Sequence, residues 1–440
     1  MSNLFAARSL MGMSLAFHIV FAAIGIGMPL LMVVAERRWL RTGDALYLQL
    51  AKRWSKGTAI LFAVGAMSGT VLSFELGLLW PGFMRYAGAI IGMPFSLEGF
   101  AFFTEAIFLG VYLYGWERVS PRMHLASGII VAVSGAASAV FVVIANAWMN
   151  SPTGFRVVNG APVDVDPIAA MMNPGAFSQA LHMLIAAYAA TGIAVAGIHA
   201  FLLGRDSSNR FHRRALATAL LVAAPAMVLQ PVSGDISARY VARQQPAKLA
   251  ALEGQFVTTV GAPLRIGGIP DMDTRETRWA IEVPRGLSLL AFHDPNAKVL
   301  GLDAVPRADW PPVPVVHIAF QIMVALGTYL ALLGIWVAYA ALRGHERIYS
   351  SPLLLKAIAV AAPMGFIAIE AGWIVTEVGR QPWIVQGVLR TADTVTPMPG
   401  LVVPFVTFML LYAALSVIVV TLLSQLIVRS PGSAAHARET

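Results

Sequence analysis

A helix needs about 20 mostly apolar residues to cross the hydrocarbon core of a bilayer. Nine stretches of this chain reach that length: 9–35, 54–80, 95–117, 124–149, 177–203, 213–233, 313–341, 355–378 and 400–428. No other feature constrains the fold as strongly. In lipid every backbone polar group must be satisfied within its own segment, so runs of this kind become helices. The composition agrees, since 58% of the 440 residues are hydrophobic and 12% are charged, against roughly 25% charged in soluble domains. The expected fold is therefore all-α, a polytopic membrane protein of nine transmembrane helices.

The connections alternate in charge. The first, ERRWLRTGDALYLQLAKRWSK, carries six Lys or Arg, the third has Arg118 and Arg122, the fifth (RDSSNRFHRR) has four Arg, and the seventh has Arg343, Arg347 and Lys356. The second and fourth have one each, Arg85 and Arg156. Basic loops stay in the cytoplasm, so the N-terminus is expected outside and the C-terminus inside. The +8 net charge reports this asymmetry and not a nucleic-acid partner. The N-terminal MSNLFAARSLMGMSLAFHIV lacks a basic leader and a small-residue cleavage site, and reads as a first helix. Four regions follow: helices 1–6 over 1–233, an outer-side loop over 234–312, helices 7–9 over 313–428, and a cytoplasmic tail over 429–440. The loop is too polar to span and too long for a simple connector.

With no cysteine in the chain, disulfides, thiolate zinc sites, iron–sulfur clusters and covalently attached haem are excluded. A metal must be held by His, Met or carboxylates. Ionisable residues inside spanning helices are costly and mark function. They are His18, Glu75, Glu98, Glu105, His182, Glu370 and Glu377. The assumed topology puts His18, Glu98, Glu105, His182, Met323 and Glu377 in the outer half, at one depth on five helices. Any one of these, taken alone, is as readily a polar group satisfied by a neighbouring helix, and a lone Met is core filler. His199 and His212 fall at cytoplasmic helix ends and read as interfacial or solvated; His293 reads as a loop residue, and His317 is open. No cluster of histidines suits zinc, whereas buried His, Met and Glu without Cys suit non-covalent haem.

The motifs FHIVF, SLEGFAFFTEAIFLG, IANAWMNSPTGF, ALHMLIAAY, KLAALE, FQIMVALG and IEAGWIVTEVGRQPW occur in this order. Over its whole length the chain resembles subunit I of cytochrome bd-type quinol oxidases. That resemblance implies a haem-bearing subunit in the bacterial plasma membrane that oxidises quinol at the outer face and reduces dioxygen to water with cytoplasmic protons. It implies a low-spin haem b held by His182 and Met323. It also implies a high-spin haem b and a haem d, or a second high-spin haem b, held by His18 and Glu377. Which of these two ligands serves which haem stays open. Glu98 is a further candidate there, with Trp373 and Arg380 lining the site. Lys248 and Glu253 match a quinol-oxidising pair, and the outer loop a quinol-binding loop of the short type. Glu105, Ser138 and Asn146 match a proton path. A second membrane subunit, the quinone pool and the lipid bilayer are the implied partners, with or without a small single-helix subunit. Two positions depart from the usual pattern. Gln321 stands where an Arg is usual, two residues before Met323, which is expected to lower the potential of the low-spin haem; Glu75 stands where some members carry Gln. An ion-coupled transporter and a haem-poor paralogue with a structural or sensing role are the alternatives.

Overall fold

The computed structural model describes residues 2–344 and 346–428; the tail expected over 429–440 lies outside the described residues. Fourteen helices follow one another: α1 (Asn3–Thr42), α2 (Ala45–Leu79), α3 (Pro81–Tyr114), α4 (Pro121–Asn150), α5 (Pro167–Met171), α6 (Ala176–Leu203), α7 (Arg210–Gln244), α8 (Pro246–Leu252), α9 (Gly286–Phe292), α10 (Val313–Leu342), α11 (Glu346–Ser350), α12 (Pro352–Ala361), α13 (Met364–Val378) and α14 (Val402–Val428). Among the described residues, nine spans are long and apolar enough to cross a membrane, with α12 and α13 together forming the eighth. That span breaks before Met364, where Pro363 has no N–H for the helical ladder.

The helices outrun the apolar segments, because caps and not hydropathy end them. In α1 the Ser2 hydroxyl accepts the N–H of Phe5, and Gly43, at φ +70°, closes the other end on Trp39 O. Its 40 residues span about 60 Å at 1.5 Å each, twice a hydrocarbon core. Likewise α7 runs to Gln244, so the long loop begins at 245 and not at 234. An Asp235–Arg239 ion pair at i,i+4 spans that extra stretch.

Helix α6 sits centrally, against α1, α4, α7, α12 and α13. Its neighbours approach at small residues. A Cβ on Gly27 would meet Thr191 at 2.4 Å, one on Gly365 would meet Ala190 at 2.5 Å, and one on Gly197 would meet Ala362 at 2.6 Å. Lipid supplies no hydrophobic drive between helices, so such close approach is what holds them together.

One face of the bundle gathers the long connections. Thr396 donates its N–H to Leu79 O, Gln386 to Met149 O, and the Asn3 amide to Met398 O. Residues 245–312 lie on this same face, since α8 reaches Asn150. Beyond α8 the loop is a set of nested antiparallel pairs: 259–260 with 298–299, 264–266 with 281–283, and 269–271 with 276–278. Ala250, Leu252, Phe256 and Leu302 bury it against Val313, Val316 and Val375 of α10 and α13. The opposite face carries the basic connections, with Arg214 paired to Asp44 at 3.2 Å.

Candidate functional site

The side of α4 that meets α3 and α13 carries small or polar residues at Gly135, Ser138, Asn146 and Asn150, and a line of side chains docks on it. Glu105 lies against Gly135, where a Cβ would come within 3.0 Å of its carboxylate. Ser138 donates to Glu98 at 3.1 Å. Nearer the loop face, the Asn146 amide donates to one oxygen of Glu377 at 2.5 Å, and Arg380 donates to the other at 2.6 Å. Asn150 donates to the Asn146 side chain at 3.2 Å, and Lys248 donates to Asn150 Oδ1 at 2.6 Å and to Thr376 O at 3.3 Å. One polar line therefore runs from Lys248 through Asn150 and Asn146 to Glu377 and Arg380. Arg380 is 2% exposed, and its Nε and Nη1 have no partner. A buried guanidinium with two unpartnered nitrogens is built for an anion. Trp373, one turn before Glu377, is half-buried.

His18 lies between α1 and α2. Its Nδ1 is 2.9 Å from Ser68 Oγ, and that hydroxyl gives its proton to Val64 O at 2.9 Å. The serine therefore accepts from Nδ1–H, which leaves the lone pair on Nε2. His182 on α6 repeats the device. Its Nδ1 is 3.0 Å from Ser233 Oγ on α7, whose proton goes to Gln230 O, and the Gln230 amide faces Nε2 at 3.1 Å. A fixed Nδ1–H puts the lone pair on Nε2, the tautomer a metal ligand needs, although at His182 the Gln230 amide donates to that lone pair. Met323 on α10 points at Gly372 of α13, where a Cβ would stand 3.1 Å from its sulfur. Glu75 takes the Ser14 hydroxyl at 2.9 Å, and Tyr412 of α14 donates to Ser14.

Several sequence expectations change here. Gln321 does not turn toward Met323: its amide binds the loop, accepting from Gly267 N–H at 2.9 Å and donating to Arg265 O at 3.1 Å. Lys248 and Glu253 point different ways. Five residues on a helix differ by about 140°, and Lys248 faces α4 and α13 while Glu253 is buried where the Arg265 charge acts on it. Burial drives the Lys248 amine down to about 7, with Arg380 adding to the fall and Glu377 opposing it. Burial raises the Glu253 carboxyl to about 8, against the pull of Arg265. His199 and His212 are buried and not solvated, because they bond each other across α6 and α7 at 3.0 Å. His317 is fully buried and bridges Leu252 O and Gly267 O. His293 is an exposed loop residue. Ser68, Ser233, Gln230 and Asn150 carry no charge; their signal in the sequence is an uncharged polar residue inside an apolar run.

Residues 6–431 match the family model described as cytochrome bd terminal oxidase subunit I. A Bacillus subtilis (strain 168) protein, provisionally named a cytochrome bd menaquinol oxidase subunit I, is 40% identical over 96% of each chain. A second protein of that strain, named cytochrome bd ubiquinol oxidase subunit 1, is 30% identical over 96% of this chain and 93% of its own. The solved structure of the bd oxidase from Geobacillus thermodenitrificans superposes with a TM-score of 0.92 at 38% identity, covering 98% of this chain and 99% of that one.

Proposed function

Because the chain belongs to the cytochrome bd terminal oxidase subunit I family, we propose that its two polar regions divide the labour of a quinol:oxygen oxidoreductase. It is the subunit I of a bd-type quinol oxidase in the bacterial plasma membrane, working with a membrane subunit II and the quinone pool. The transporter alternative is set aside, since the relatives are named as quinol oxidases. The face with the long loop is the outer one and holds the quinol site, because the basic connections lie on the face opposite and mark the cytoplasm.

His182 and Met323 would hold a low-spin haem b. His18 and Glu377 would hold the high-spin haem b and a haem d, or a second high-spin haem b. The donor set fits: two histidines are fixed with Nε2 as the lone-pair nitrogen, and a buried arginine beside Glu377 has spare N–H groups for a propionate. Haem bound there supplies the iron that carries electrons and reduces dioxygen. The protein's own work is with protons. Glu253 takes a proton from quinol at the outer face. Glu105, Glu98 and Ser138 hand protons along α3 and α4 from the cytoplasmic side, and Asn146 orients Glu377 by donating to it.

The observation that carries this reading is Arg380, buried with Nη2 on Glu377 and its other two nitrogens without a partner. The test is the haem content and the reduced-minus-oxidised spectrum of the purified complex carrying Arg380→Leu. Loss or displacement of the high-spin bands is expected. Full haem content with unshifted bands would mean that the guanidinium serves the protein alone.

A further inference from the structure

Gln321 and His317 lie one turn apart on α10, and both spend their polar atoms on the backbone of the long loop. His317 Nδ1 is 2.7 Å from Leu252 O and its Nε2 is 3.1 Å from Gly267 O. Gln321 accepts from Gly267 N–H at 2.9 Å and donates to Arg265 O at 3.1 Å. Three of these four bonds converge on Arg265 and Gly267, and the fourth falls on the residue before Glu253. The Arg265 side chain, 15% exposed, pairs with Glu282 at 3.0 Å and with the Gln255 amide oxygen. Glu253 is 4% exposed, and its Oε2 has no partner. Its carboxyl, raised by burial, feels Arg265 as its opposing charge.

We propose that Gln321 is a positioning residue for the quinol site: with His317 it clamps the Gly267 turn onto α10 and thereby holds the Arg265 cation beside Glu253. The charge absent from position 321 is delivered by the loop. Gln321 then acts on quinol binding and not on the low-spin haem. The proposal rests on the assignment of Glu253 to quinol oxidation.

The test uses the complete oxidase in detergent with Gln321→Leu, Arg265→Gln and both together. Gln321→Leu removes two hydrogen bonds and leaves side-chain bulk. About tenfold faster amide exchange over residues 264–268 is expected, with a rise of similar size in the quinol KM. The low-spin haem should keep its midpoint potential. Arg265→Gln should raise KM without altering exchange, and the double variant should be no worse than the worse single one. Unchanged exchange in Gln321→Leu, a shifted haem potential with normal KM, or additive losses in the double variant would overturn the clamp. Glu253→Gln separates the premise. If that variant keeps normal quinol kinetics, the Glu253 assignment falls, and exchange at 264–268 still decides whether the clamp exists.

Discussion

Lys248 and Glu253 sit on the same turn-and-a-half of helix, yet they belong to different regions. Lys248 reaches into the bundle, to Asn150 and Thr376, at the Glu377 end of the polar line. Glu253 looks into the nested hairpins, with Arg265 as its opposing charge. The inner region is built from long helices whose small residues let them approach to contact distance. The outer one is built from short paired strands over a small apolar cluster, and its 265–267 turn is hung on α10 by two side chains. Positions in the inner region are set by close helix packing, and that of the outer turn by a few hydrogen bonds. Damage should therefore show in the haem spectra for the first and in quinol kinetics for the second.

The largest effects belong to the inner region. His182→Ala or Met323→Leu should remove the low-spin α-band of the purified complex, and Glu377→Ala should remove high-spin bands. Turnover should fall by more than the roughly 100-fold that loss of an outer partner to a ligand costs. A normal low-spin spectrum in either low-spin variant would withdraw those two residues as ligands.

Next come Lys248 of α8 and Glu253 at its C-terminal cap. Glu253→Gln should slow quinol oxidation by about 10²-fold or more, the scale of a lost proton acceptor, with haem spectra intact. Lys248→Met should instead disturb the spectra, since its amine ends the line that leads to Glu377. Identical phenotypes, with normal spectra and impaired quinol kinetics in both, would merge the two regions into one.

A smaller and more diagnostic effect is the pH profile. Burial favours the neutral Glu253 carboxyl, so its proton-accepting form fills only as pH climbs through about 8. The quinol kcat/KM should rise along that limb, and Glu253→Gln should flatten it. Arg265 opposes burial, so Arg265→Gln should move the limb to higher pH. Of the other titratable groups there, His317 bonds backbone carbonyls and not the carboxylate, and Glu282 pairs with Arg265. A limb that stays in place in Arg265→Gln would mean that the guanidinium does not act on Glu253.

How much of this was legible follows from the same contrast. Spanning helices announce themselves by length and hydropathy, and the nine segments appear where the apolar runs fall. Buried His and Glu announce themselves by their cost in lipid, so His18, Glu98, Glu105, His182 and Glu377 could be singled out from sequence alone. Their partners could not. Ser68 lies 50 residues from His18, and Asn146 lies 231 residues from Glu377, and no local pattern links them. Helix ends are hidden wherever the helix outlasts its apolar run, as at Gln244. The direction of Gln321 was hidden for a different reason. It depends on where a loop of polar residues folds back, and the two strands meeting Gly267 are three residues each.

The smallest expected effect probes the stiffness of that outer region. Gly267 has φ +70°, and a Cβ there would meet nothing within 4 Å, so Gly267→Ala introduces backbone strain without a clash. The left-handed conformation costs an alanine about 1 kcal/mol, equivalent to about fivefold in an equilibrium constant. Gly268 differs: at φ +92° its Cβ would stand 2.8 Å from both Ala280 and Thr277. Gly267→Ala should therefore raise the quinol KM no more than about fivefold, Gly268→Ala should raise it further, and neither should move a haem band. Paired KM and spectral measurements on the two variants give the answer. A spectral shift in Gly267→Ala would mean that strain in the hairpin reaches the bundle. The hairpins and the helix core would then be one mechanical unit, and the division drawn between Lys248 and Glu253 would not hold.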